Sequence, residues 1–313
     1  MKKYLYIALA AAALTSCSSD ETLDVQKEVI SFGEAFIGNS TRATDPSYGP
    51  NDGDKKLTAF KVYGTVEGTN IFNGNNVTKG DAAYGTEAWG CDGATQYWIA
   101  GADYIFDAVV DATSTTTDPS TGLPTKLTYN TSSQKDMLHN RVTTNGKPTT
   151  NNGLVTFEFT HLLSKVNFTV TNETAATATN YRYTITDINI TNAYTVGDYA
   201  VPAGTWSNLT TAPYTIEAIT ANSASTAEAE AEVLLIPGAN VGVSFKANIE
   251  YKKSDDTWVV ISTVEKAFTN QITLAANTAY NFNVTVKLDD EIKFTAKNLN
   301  AWTNADDDTD LTI

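Results

Sequence analysis

Few side chains in this sequence suit covalent or metal chemistry. Cysteine occurs twice, at Cys17 and Cys91, and histidine twice, at His139 and His161. So small a set cannot build a Cys/His metal site or a disulfide framework. Carboxylates are plentiful, and Asp306-Asp307-Asp308-Thr309-Asp310 offers oxygens of the kind a hard cation prefers. That run lacks the glycine and the distal glutamate of a calcium-binding loop, so a solvated acidic tail is expected. No Gly-x-Ser-x-Gly, His-Glu-x-x-His or phosphate-cradling glycine loop is present. His161, beside Leu162 and Leu163, reads as a satisfied structural histidine, and His139 as a loop residue. Trp89, Trp98, Trp206 and Trp258 are of the type that forms sugar-binding platforms, but core or rim positions are the expectation. The reading is therefore of a non-enzyme with no catalytic residue, no cofactor and no metal.

The chemistry that remains is modification of the chain itself. A short basic start, Met1-Lys2-Lys3, precedes an apolar run from Tyr4 to Leu14. That run is too short to span a hydrocarbon layer of roughly 30 Å as a helix, and it has the pattern of a secretory signal peptide. Its end, Leu14-Thr15-Ser16-Cys17, resembles a bacterial lipobox. The resemblance implies a lipoprotein signal peptide over 1–16, cleavage before Cys17 and acylation of that residue. Polar and acidic Ser18-Ser19-Asp20-Glu21 follows, similar to the surface-export tethers of Bacteroidetes lipoproteins. With Cys17 acylated, Cys91 has no partner for an intramolecular disulfide. Arg42 is the first arginine of the chain and follows a soft stretch, Gly38-Asn39-Ser40-Thr41. Exposed, flexible segments of this composition are where nicking concentrates, so Arg42-Ala43 is a candidate cleavage bond.

The elements that position these residues are strands. Over 313 residues, 21 Lys+Arg stand against 36 Asp+Glu, a formal charge of −15. That balance argues against nucleic acid as a partner and against a polybasic grip on anionic lipid. Hydrophobic residues make up 42% and charged residues 18%, which is not the composition of a disordered chain. Thr, Val, Ile and aromatics favour strands, and period-2 alternation recurs throughout. Ile30, Phe32 and Phe36 fall in phase, interrupted by Glu34. Alternating runs are also expected at 57–66, 70–77, 95–100, 104–110, 126–129, 154–160, 163–171, 181–191, 233–236, 241–251, 257–268, 280–286 and 292–296. Residues 221–232 are the one place where a short helix is expected. Turn-rich stretches at 38–56, 111–125 and 140–153 separate the runs. Regular short strands over this length suggest two β-sandwiches joined near residue 160.

Several local patterns then coincide. Ile30-Ser31-Phe32 leads, ten residues on, to Thr41-Arg42-Ala43-Thr44, and Lys61-Val62-Tyr63-Gly64-Thr65 precedes Ile71-Phe72-Asn73. Tyr97-Trp98, Phe159-Thr160-His161-Leu162-Leu163-Ser164-Lys165-Val166, Leu234-Leu235-Ile236-Pro237, Ala279-Tyr280-Asn281-Phe282 and Ile292-Lys293-Phe294 with Trp302 follow in order. Together with the lipobox, they resemble the fimbrillin family of Bacteroidetes, the lipoprotein-precursor pilins of type V pili.

The resemblance implies an all-β chain of two transthyretin-like β-sandwich domains in tandem. Residues 17–42 would form a propeptide with a removable strand carrying Ile30, Phe32 and Phe36. Residues 43–160 and 161–313 would be the two sandwiches. It implies an outer-membrane lipidated precursor held through Cys17 and maturation by an Arg-specific surface protease. Head-to-tail polymerisation with the same or other fimbrial subunits would follow, giving a cell-surface fimbrium that serves adhesion to a host or bacterial surface ligand. The segment 291–313, with Ile292, Phe294, Ala296 and Trp302, is the candidate donor strand, since it repeats the Ile-x-Phe start of the leaving strand; the alternative is that 291–299 is the last strand of its own domain. Two other functions stay open: a surface-anchored lipoprotein that binds glycans, and a non-polymerising anchor subunit.

Overall fold

Alternating apolar and Thr/Asn residues fold into nineteen strands among the residues that the computed structural model describes, namely 28–37, 57–80, 89–172, 179–222, 229–286, 293–299 and 310–311. The first nine are β1 (Phe32–Ile37), β2 (Ala59–Val66), β3 (Thr69–Lys79), β4 (Trp89–Cys91), β5 (Asp103–Val110), β6 (Ser114–Thr117), β7 (Pro124–Asn130), β8 (Leu138–Asn145) and β9 (Val155–His161). The second group is β10 (Ser164–Asn172), β11 (Tyr181–Ala200), β12 (Thr205–Ile216), β13 (Ile219–Asn222), β14 (Ala229–Leu235), β15 (Asn240–Lys252), β16 (Trp258–Thr273), β17 (Thr278–Val286), β18 (Lys293–Leu299) and β19 (Asp310–Leu311). The only described helical turns are two single 3₁₀ turns, Thr131–Ser133 and Asn151–Gly153.

Seven strands close into a barrel in the order β1-β4-β3-β2-β5-β8-β9. Its interior is an aromatic cluster with Phe60, Phe72, Phe106, Phe157 and Phe159 at the centre. A second unit faces a five-stranded sheet, β14-β10-β17-β18-β19, with β16-β15-β11 of a larger sheet, around Val166, Phe168, Ile185, Phe245 and Phe282. Residue 160, near which the sequence suggests a join, lies close to the end of β9, and strand pairing crosses that point. The β6–β7 hairpin leaves the barrel strands and adds to β11, with Tyr129 opposite Gly197 and Leu127 opposite Tyr199. A third apolar cluster fills this junction, joining Tyr63 and Val109 of the barrel wall to Leu127, Leu163, Leu234 and Ile236.

Two sequence expectations are overturned here. The helix expected over 221–232 is absent where those residues are described: Ile219–Asn222 and Ala229–Leu235 are strands, the latter paired along β10. Its Ala/Glu composition favours helix, but Val233, Leu234 and Leu235 are buried against the sheets, and tertiary burial outweighs a propensity of a few tenths of a kcal/mol per residue. Residues 95–100 form no strand and contribute one bridge, Val29 opposite Tyr97. The Tyr104 hydroxyl, which accepts from the Ile99 amide at 2.7 Å, helps hold that segment irregular.

His139 is not in a loop. It sits buried on β8, with Nε2 2.8 Å from Oδ1 of Asp107 on β5, while Arg141 donates to the same carboxylate from Nε (2.9 Å) and Nη2 (2.7 Å). Burial by itself would raise the Asp107 carboxyl, but the hydrogen bonds and charges of His139 and Arg141 outweigh it and hold it below the usual carboxylate range. A folded-state value lower than the unfolded one means that this stabilisation is fully present above the unfolded carboxylate range, near ~4. It is lost as pH falls through the lower folded value. Asp107→Asn should therefore destabilise the chain at pH 7, on the order of 3 kcal/mol. The difference from wild type should shrink as urea unfolding is repeated from pH 5 down to pH 2; an unchanged difference would show that Asp107 does not carry this pH dependence.

Candidate functional site

The feature with the clearest functional geometry is the place of β1 in the barrel seam. Six of the seven pairings between neighbouring barrel strands are antiparallel, but β1 runs parallel to β9, with Phe32 opposite Val155 and Ala35 opposite Phe157. Its other side meets β4 at a single pair, Phe32 and Trp89. Ahead of the strand, the Ile30 amide donates to Gln96 O (2.8 Å), and Glu28 O accepts from the Trp98 amide (2.9 Å). The Val155 amide donates to Ser31 O (2.9 Å), and Lys147 Nζ reaches Glu28 Oε1 at 2.8 Å. A terminal ribbon thus bridges two parts of the barrel that no hairpin links to it.

Side chains fix the ribbon as firmly as its backbone does. Ile30 and Phe32 are buried in the barrel cluster. The Phe32 ring meets Phe72 (5.5 Å), Phe106 (6.2 Å) and Phe60 (6.3 Å) edge-on, and stacks on Phe157 at 6.1 Å. Each fully buried side chain contributes roughly 1.5–3 kcal/mol, and aromatic pairs add about 0.5–1.5 kcal/mol each. Withdrawing the ribbon would expose four phenylalanine rings and leave the edges of β9 and β4 unpaired, a condition that sheets avoid.

The alternation read from the sequence breaks inside this strand. A bulge between Phe32 and Ala35 puts Ala35 beside Phe157 and Ile37 beside Phe159, so the expected phase of Phe36 with Phe32 is lost, and Phe36 is in register with Glu158. The extra residue falls within Gly33-Glu34 of the strand.

The remaining candidates are dispersed. Cys17, Arg42, Ala43, Ile292 and Trp302 lie outside the described residues. Phe294 and Ala296 are in β18, in register with Val284 and Phe282 of β17, and Ala296 pairs with Leu311 on the other side. The candidate donor strand therefore sits in its own sheet, separate from that of β1. Of the acidic run, Asp310 is described, opposite Lys297. His161 is buried, with Nδ1 2.6 Å from Asp136 Oδ2.

The tryptophans do not converge: Trp89 and Trp98 pack on the barrel cluster, Trp206 on the junction, and Trp258 lies beneath the Arg182 guanidinium at 4.4 Å. Cys91 carries a free thiol that burial, helped by the Asp92 charge, pushes up to about 12. Beside β1 lies a cavity of about 50 Å³, lined in part by Val29, Phe72 and Cys91. A hollow of about 490 Å³ is lined in part by Leu57, Lys61, Tyr63, Asp111 and Ser114. Among the described residues, no group of three or more His, Cys, Asp or Glu could hold a metal, and no helix is long and apolar enough to cross a membrane.

Comparison with known proteins bears on this geometry. Residues 1–18 match the model for a prokaryotic membrane lipoprotein lipid attachment site. A fimbrial protein from Bacteroides vulgatus has a similar fold, with a TM-score of 0.56 and 14% identity over 88% of this chain and 99% of that one. A candidate cell adhesion protein from Bacteroides ovatus superposes with a TM-score of 0.52 and 16% identity over 90% and 99%. Another, from Bacteroides uniformis, gives 0.51 and 17% over 90% and 99%. No curated protein matches the chain at a significant level. The model described as fimbrillin-like matches residues 41–302, most of the sequence, and on that ground the chain belongs to the fimbrillin-like family, a structural family rather than an enzymatic one.

Proposed function

We propose that this chain is the lipoprotein precursor of a fimbrial subunit that polymerises by strand exchange and serves adhesion. The observation that carries the reading is the place of Ile30 and Phe32 in the barrel seam, on a terminal strand joined to the rest of the chain through the segment that contains Arg42. Acylation of Cys17 holds the precursor on the outer membrane, at about 0.8 kcal/mol per buried methylene. An Arg-specific surface protease cuts between Arg42 and Ala43, and β1 leaves with its lipid. The vacated seam then takes an extended segment of a neighbouring subunit, as in other β-strand additions. Because donor and acceptor surfaces are different, the contact is head-to-tail and grows an open filament. The two halves are read as tandem transthyretin-like sandwiches, with residues 291–313 as the donor segment presented to the next subunit. The adhesive ligand is a molecule of a host or bacterial surface.

One substitution and one deletion test the two ends of the process. Treating the precursor with an Arg-specific protease should yield an N-terminus at Ala43 and, in the presence of its partner subunits, a ladder of SDS-resistant high-mass species, while Arg42→Ala should yield neither; fibres formed normally by that variant would refute the cleavage step. Deleting residues 291–313 should leave cleavage after Arg42 intact but abolish the ladder, read by gel electrophoresis and N-terminal sequencing. A ladder of wild-type length from the deleted chain would move the donor role to another segment.

A further inference from the structure

The seam does not accept every apolar strand, because it contains a notch. Where β1 bulges, a Cβ added to Gly33 would come within 2.9 Å of Thr156 Cγ2, 3.1 Å of Leu154 Cβ and 3.2 Å of Leu154 Cδ1. The demand is for space, since Gly33 does not have the left-handed backbone that would call for glycine on torsional grounds. The walls are also stiff. Thr156 Oγ1 accepts a hydrogen bond from Asn151 Nδ2 at 2.9 Å, which holds its rotamer and keeps the methyl in the notch. Leu154 Cβ is fixed to its own backbone and cannot swing aside. A tight, fixed wall penalises added volume because close-packed interiors have little slack.

Resting on the strand-exchange reading above, we infer that the Leu154–Thr156 notch selects which strand can fill the seam: an apolar residue, any residue, an aromatic residue, and then immediately a glycine. The chain's own β1 meets that rule as Ile30-Ser31-Phe32-Gly33. Its C-terminal strand does not. With Ile292 and Phe294 on the seats of Ile30 and Phe32, Thr295 falls on the notch; with the strand reversed on the same two seats, Glu291 does. Sliding the strand until Ala296 reaches the notch would put Lys293 and Thr295 on the two core seats. The partner that fits this seam is therefore a strand from a different subunit, one that carries glycine directly after its aromatic anchor. A second copy of this chain's Ile292-x-Phe294 strand is a poor guest.

The notch is tested first in the full chain, without any cleavage. Gly33→Ala should speed hydrogen exchange at the Ile30 and Val155 amides, the donors that hold β1, by roughly tenfold, equivalent to about 1.4 kcal/mol, with the amides of β10 unchanged. Adding Thr156→Ser removes the closest blocking methyl but keeps the hydroxyl for Asn151, and should restore part of the protection. Unchanged exchange in Gly33→Ala, or a loss that Thr156→Ser does not relieve, overturns the notch.

The second measurement uses chain cleaved after Arg42 and three synthetic peptides: residues 28–37, the same peptide with Gly33→Thr, and residues 289–299. The first should bind at least roughly tenfold more tightly than the other two, and the Thr156→Ser acceptor should narrow the gap. Equal binding of all three overturns the notch even if Gly33→Ala fails to fold. Binding of none counts against the vacated seam of the proposed function, and the exchange measurement still decides the notch.

Discussion

The Phe32 ring sits where four barrel strands converge, and the first half of the molecule depends on it. Phe60, Phe72, Phe106 and Phe157 come from β2, β3, β5 and β9, and Phe32 contacts all four. A barrel abolishes sheet edges only while every stave is present. Here one stave is a terminal ribbon that pairs parallel to one neighbour and touches the other at a single register position. Closure of the barrel and retention of the ribbon are thus one event, and the same contacts that stabilise the precursor define the vacancy that its loss would leave.

The strand content was legible because most strands have one wet and one dry face. Val241, Val243, Phe245 and Ala247 alternate in the sequence and are buried in β15. Strands without that asymmetry escaped notice. β12, with Trp206, Leu209 and Tyr214 scattered among Thr, Ser and Asn, is mostly exposed and pairs only along β11, so it never needed an apolar face. β8 carries His139 and Arg141 because its outer face meets the buried Asp107, and a polar network has no periodic signature. The β14 segment misled for the opposite reason: its alanines and glutamates have a helical preference that burial of its C-terminal half overrode.

The site itself was half legible. Ile30 and Phe32 could be picked out by phase, but the partner of β1 could not, because a parallel pairing with residues more than a hundred positions away leaves no local trace. The bulge was invisible for a related reason. Glu34 in phase with Phe32 looked like an interruption of the pattern, whereas the chain resolves it by inserting one residue beside Gly33. A glycine followed by a charged residue inside an otherwise apolar strand is the local sequence signal of such a bulge.

The junction between the halves has a mechanical consequence. The β6–β7 hairpin, which belongs by sequence to the first half, is hydrogen-bonded into the sheet of the second along β11. The apolar cluster beside it joins Tyr63 and Val109 to Leu234 and Ile236. A filament of such subunits under tension would not stretch at a soft hinge within each subunit. Pulling the halves apart requires rupturing a backbone ladder and opening an apolar interface at once, so in the proposed filament the load would pass to the joints between neighbours, where an exchanged strand would have to resist being drawn out.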